Sequence, residues 1–109
     1  MNLKKLCFHL RNRRRMYLLD DRYSTAVSFI DGFNVALDGV PLKGFQPWLA
    51  ERIRGGESSL HWAYLVASVR TPGMIEEGLT LDRIPPDQEK VLVDDLLQLI
   101  DEFLASSSC

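Results

Sequence analysis

Histidine and cysteine are scarce in this chain, two of each in 109 residues, and their placement removes several chemistries at once. Cys7 and Cys109 lie near opposite ends with no spacing pattern between them. We therefore expect reduced thiols of a cytosolic protein rather than a disulfide framework. Cys7 and His9 form a C-x-H pair, but no second pair exists, and residues two apart on a helix do not face each other. No metal site is expected. Long apolar runs are also missing, and none approaches the roughly 20 residues of a membrane span. Lys4 and Lys5 precede no uninterrupted apolar stretch, so neither a secretory signal nor a membrane partner is expected. Phosphate-binding glycine patterns are absent as well. Arg54-Gly55-Gly56-Glu57 has neither a Walker lysine nor the Rossmann spacing, and no cofactor is expected.

The remaining composition is that of an ordinary globular chain. It is 46% hydrophobic and 26% charged, enough apolar residue for one core, and we expect residues 1–109 to form a single helical domain. The net charge of −2 hides a division. Residues 1–22 hold seven Lys/Arg against Asp20 and Asp21, a local +5, and the rest of the chain is at −7. Such asymmetry marks either two binding faces or a basic start that pairs with an acidic end. The run Arg11-Asn12-Arg13-Arg14-Arg15 is short and lacks interleaved aromatics for stacking bases. It reads as a solvated helix end rather than a nucleic-acid site.

Hydrophobic spacing predicts helices almost throughout. Leu3, Leu6, Cys7 and Leu10 follow a possible Asn2 cap. Met16-Tyr17-Leu18-Leu19 reads as an extended connector. Ser24 is then placed as the cap of a helix carrying Ala26, Phe29, Ile30, Phe33, Ala36 and Leu37 and ending at Asp38-Gly39. Gly32 lies inside it at a cost of about 1 kcal/mol against alanine, which the close approach of another helix would explain. Phe45, Leu49 and Ile53 share one face of a helix stopped by Gly55-Gly56, with Trp48 beside them.

Leu60 to Val69 is apolar on every side of a helical wheel, so a helix at about 59–70, capped by Ser58 or Ser59, is expected to be buried on all faces. The segment from Thr71 to Pro86 shows no sustained period and reads as a long loop with room for one short helical turn. Pro86 then opens a last helix with a broad stripe of Leu92, Leu96, Leu99, Ile100, Phe103 and Leu104. The fold expected is all-α, a compact bundle of four to five helices around the segment at 59–70.

Catalytic arrangements are few. His61, beside Trp62 in the apolar segment, is the one candidate general base, and no carboxylate or nucleophile stands at a spacing that makes a dyad with it. A structural histidine is the stronger reading, and an enzyme is not expected. Trp62 reads as core. Trp48 stands open between core and interface anchor.

Arg13-Arg14-Arg15-Met16-Tyr17-Leu18, followed after a gap by Ala26 to Leu37, resembles the start of small bacterial proteins that carry an "RPGMYLG" segment and a helix ending in "GY..AL". Gly44-Phe45-Gln46-Pro47-Trp48-Leu49 and Leu60-His61-Trp62 resemble their later "GF..WL" and "NL.W" signatures. The likeness spans roughly residues 10–70 and leaves the acidic last helix uncovered. Arg14-Arg15 stands where those proteins have Pro-Gly, and Leu19 where they have glycine.

They are uncharacterised or immunity-type proteins associated with polymorphic toxin systems. The resemblance implies a cytoplasmic protein that neutralises a cognate toxin domain by binding it. An acidic surface would complement a basic partner. The residues expected at that surface are Asp94, Asp95, Asp101 and Glu102, with Glu76, Glu77 and Trp48. The alternatives are a homodimeric or assembly role, for which the broad last stripe would supply the interface, and an enzyme using His61.

Overall fold

Asn2 opens the first helix as its spacing suggests, the side chain accepting the backbone N–H of Lys5 at 2.9 Å. The structure is a computed structural model that describes residues 1–78 and 80–107, the side chains of Ile75, Glu76 and Ser107 lying outside the description. Among the described residues there are six α-helices and no strand. They are α1 (Leu3–Asn12), α2 (Tyr23–Ala36), α3 (Phe45–Arg54), α4 (Trp62–Arg70), the single turn α5 (Gly73–Glu76) and α6 (Pro86–Ser107). Two 3-10 turns, Arg14–Met16 and Leu81–Arg83, lie in the connections. The all-α expectation holds.

The helix at the centre is α6, not the apolar segment at 59–70. α6 packs against α1, α2, α3 and α4, and its Leu92, Val93, Leu96, Leu97 and Ile100 are fully buried, with Phe103 nearly so. Each such side chain contributes about 1.5–3 kcal/mol by leaving water. Val93 and Leu97 widen the expected stripe, because a helix with neighbours on several sides needs more than one apolar line. α4 lies against α3, α5 and α6. It buries Trp62, Ala63, Leu65, Val66 and Ala67 but exposes Val69 and Arg70, so it is not covered on all faces. Buried residues from all six α-helices join one cluster, α5 contributing Met74.

Two caps differ from the sequence reading. α4 begins at Trp62, and its cap is His61, whose Nδ1 accepts the Ala63 N–H at 3.0 Å. Ser58 instead turns the preceding loop by accepting the Leu60 N–H. α2 begins at Tyr23, so that Arg22 and not the expected Ser24 stands at the cap position, and Arg22 provides no side-chain cap. Two carboxylates serve that end instead. Asp20 accepts the Arg22 N–H at 3.0 Å, and the buried Glu89 of α6 accepts the Tyr23 N–H at 3.3 Å. Hydrogen bonds from the Thr25 side chain and the Arg22 backbone hold the Asp20 carboxyl below its ordinary range. Tyr23 is itself buried, and its hydroxyl donates to the Ala63 carbonyl at 2.6 Å, tying α2 to α4.

α2 stops at Ala36, after which Asp38 and Gly39 take left-handed backbone angles of 59° and 75°. Pro41 to Gly44 form a turn. Gly44 sits at φ 87°, so a side chain there would be strained, although the Phe103 ring, 3.8 Å from where a Cβ would be, leaves room for one. Gly32 is the opposite case. No helix approaches it, its surroundings are open, and a Cβ would touch nothing within 4 Å. Close packing therefore does not explain this glycine, and nothing in the structure does. Gly32→Ala is expected to raise stability by about 1 kcal/mol through helix propensity and a less disordered unfolded chain. Urea unfolding followed by circular dichroism measures the change, and a loss of stability would show a constraint on Gly32 that the fold does not reveal.

Candidate functional site

Seven residues is close to two helical turns, so on α6 Asp94 and Asp101 lie along one line and Asp95 and Glu102 along the next. Each of the four carboxylates meets an arginine of the same chain. On the first line Asp94 accepts from Arg14 at 2.7 Å, and Asp101 accepts from Arg11. On the second, Glu102 accepts from Arg52 of α3 at 2.6 Å and Asp95 from both Nε and NH2 of Arg70 on α4. The fork on Asp95 holds the Arg70 guanidinium above its ordinary range, through the hydrogen bond first and the charge second.

The basic start thus docks on the acidic helix. Arg14 is half-buried and also donates to the Leu10 carbonyl at 3.0 Å, closing the end of α1. The run at 11–15 is in part a set of interhelical clamps, not a solvated end.

The seven residues expected at an interface are consequently dispersed. Asp94 and Asp101 face α1. Asp95 and Glu102 face the seam of α6 with α3 and α4. Glu77 is exposed beyond α5, and Glu76 lies outside the described side chains. Trp48 is half-buried, stacked on Phe45 at 6.2 Å and edge-on to Phe103 at 5.7 Å. The Arg52 guanidinium lies over its ring, 5.1 Å from the centroid. Trp48 and Glu102 together fix where Arg52 points.

A groove of about 660 Å³ runs along that seam. Ile53, Val66, Val69 and Leu99 line it apolarly, and Arg52, Arg54 and Arg70 stand around it with Asp95 and Glu102. Arg54, on the last turn of α3, has no ion-pair partner among the described residues. Sequence reading missed these arginines because their grouping depends on three helices meeting, and no spacing within the chain signals it. A second hollow of about 640 Å³ lies beside Gln46, Ala50, Gly56 and Ser58. There the Gln46 amide donates to the Ser58 and Leu60 carbonyls, both at 2.7 Å, and so closes the loop before α4.

The candidate base, His61, stands apart from both hollows. It is exposed, not buried as the sequence suggested, and its ring lies 4.8 Å from that of Trp62. Cys7 is fully buried, which pushes its thiol up to about 12. Below pH 9 this burial contributes its full stability. As pH rises from the ordinary thiol value of 9 towards 12 the unfolded chain ionises first and the contribution fades. His9 stacks on Tyr17 at 5.5 Å, and Tyr17 meets Phe29 at 6.2 Å, a ladder of rings joining α1 to α2. Among the described residues no group of three or more His, Cys, Asp or Glu could hold a metal ion, and no helix is long and apolar enough to cross a membrane.

Two measurements test this arrangement. Iodoacetamide is expected to label Cys7 only after denaturation, read by mass spectrometry of its peptide; labelling of the folded protein would show that the site opens. A double-mutant cycle on Arg14→Ala and Asp94→Ala is expected to give a coupling of about 0.2–1 kcal/mol that shrinks with added salt. A coupling of zero at low salt would dissolve the clamp.

No family model matches the chain, and no curated protein or solved structure matches it significantly.

Proposed function

We propose that this chain is a protein-binding domain of the cytoplasm, of the immunity type that blocks a cognate toxin by occupying it. The observation that carries the reading is the groove of α3, α4 and α6, where the helices leave Val69 in solvent and Ile53 and Leu99 only half-buried. Val69 is 60% exposed although it belongs to an ordered helix, and arginines surround it. Apolar surface left open within a polar rim is the usual composition of a recognition site. The resemblance of residues 10–70 to immunity-type proteins supplies the specific form of the reading.

In this proposal the acidic residues act at one remove. Asp95 and Glu102, with Trp48, hold the arginines at the groove. Asp94 and Asp101 hold α1 on α6. The surface is then not the acidic patch that composition suggests, because its carboxylates are already matched within the chain.

A homo-oligomer is the second reading. Phe8, Met16 and Leu19 favour it, being 57%, 75% and 96% exposed on α1 and the connector after it. The two readings separate in solution. Light scattering on the pure protein is expected to give the 12.4 kDa monomer. Affinity purification from the source lysate is expected to recover one stoichiometric protein, whose toxicity in a growth assay the chain suppresses when co-expressed. A stable dimer recovered alone would replace the first reading with the second.

A further inference from the structure

The charge around the groove has a sign, and it specifies the partner further than the protein-binding reading does. Three guanidiniums, of Arg52, Arg54 and Arg70, face two carboxylates, of Asp95 and Glu102. With Arg54 unmatched among the described residues, the rim carries a surplus positive charge. The two matched arginines are also accessible, their side chains 47% and 46% exposed, and such pairs contribute little in water. A carboxylate arriving from outside can therefore share or take over either guanidinium, whose planar fork suits two oxygens at once. A cationic partner would meet the surplus charge of Arg54 and would have to compete with Arg52 and Arg70 for their carboxylates.

The floor sets the shape of what enters. Ile53 lies near the end of α3, Val66 and Val69 sit one turn apart on α4, and Leu99 faces them from α6. This is a trough across three helices, with a volume of about 660 Å³ that suits a few aliphatic or aromatic side chains. Among the described residues no strand offers an edge to which an extended peptide could add its backbone hydrogen bonds. A helix satisfies its own backbone and presents only side chains, which is what a trough of this kind can recognise.

We propose that the α3–α4–α6 groove receives an amphipathic helix of a partner protein, apolar along the face that enters and bordered by aspartate or glutamate. The proposal rests on the protein-binding reading and names its surface. Apolar anchors spaced i, i+3 or i+4 and i+7 fill the floor. Acidic residues beside them meet Arg54 first, then Arg52 and Arg70. Trp48 serves as a positioning residue, since its ring holds the Arg52 guanidinium at the rim.

The test uses two fluorescein-labelled synthetic peptides of about four helical turns. They are identical in a leucine face at those spacings and differ only in carrying Glu or Lys along its borders. Anisotropy titrations of the full chain are expected to show the Glu peptide binding at least roughly tenfold more tightly than its Lys twin, with an affinity that falls as salt rises. Arg54→Glu and Val69→Asp, both at exposed positions, are expected to weaken it by a similar factor while thermal melts show the fold intact. Backbone amide NMR shifts on titration should centre on Val66, Val69 and Leu99.

Equal affinity for the two peptides, no binding of either, indifference to both substitutions, or shifts centred on Phe8 and Tyr17 would each overturn the proposal. The same variants separate it from the broader reading. A partner from the lysate that both variants retain undiminished would remove this groove and leave the protein-binding function standing. Recovery of no partner would count against that function, while the peptide titration still decides the groove.

Discussion

The docking of α6 is the constraint on which the other helices depend. Its buried face meets α1, α2, α3 and α4, and four of its carboxylates stand in two neighbouring lines, the members of each line seven residues apart. Together they fix the rotation of the helix about its axis. A turn of one residue, about 100°, would carry a leucine into water and a carboxylate into the core, and both changes are unfavourable. The arginines that meet those carboxylates come from three different stretches of chain, 11–14, 52 and 70. Each pair is weak alone, being exposed, yet all four agree on one arrangement. Their contribution is to register more than to stability.

Much of this was legible where it depends on neighbours in sequence. The Asn2 cap, the apolar positions of α1, the Gly55 stop and the opening of α6 at Pro86 all follow from spacing and from local backbone chemistry. The central place of α6 was harder to read. The segment around Leu60 to Val69 has the higher density of apolar residues, but it is short, and length decides how many neighbours a helix can touch.

Caps supplied from a distance were not legible at all. Glu89 looks like an acidic first-turn residue of its own helix, and only the fold brings it to the N-terminus of α2. His61 read as part of an apolar run, whereas its ring nitrogen serves the turn that begins after it. Gly32 invited a packing explanation that open space around it refuses.

The candidate site shows the same division more sharply. An acidic last helix and a basic start were evident from composition, and the choice between separate faces and mutual pairing was not. Pairs such as Arg14 with Asp94 and Arg11 with Asp101 are separated by 80 and 90 residues, so no periodicity reports them. Once they form, the formal charges of the sequence no longer describe the surface. What remains unmatched at the seam of α3, α4 and α6 is positive, and the polarity expected of a partner reverses with it.

The cap that Glu89 provides to α2 also has a consequence in time. A ribosome delivers α2 long before it delivers residue 89, and Arg22 offers that helix no cap of its own. The segments that will become α1 to α4 emerge with their apolar faces lacking the helix that covers them. Until α6 follows, the nascent chain is a set of loosely held helices, open to chaperones and to wrong contacts. Completion of this fold is thus tied to the arrival of α6.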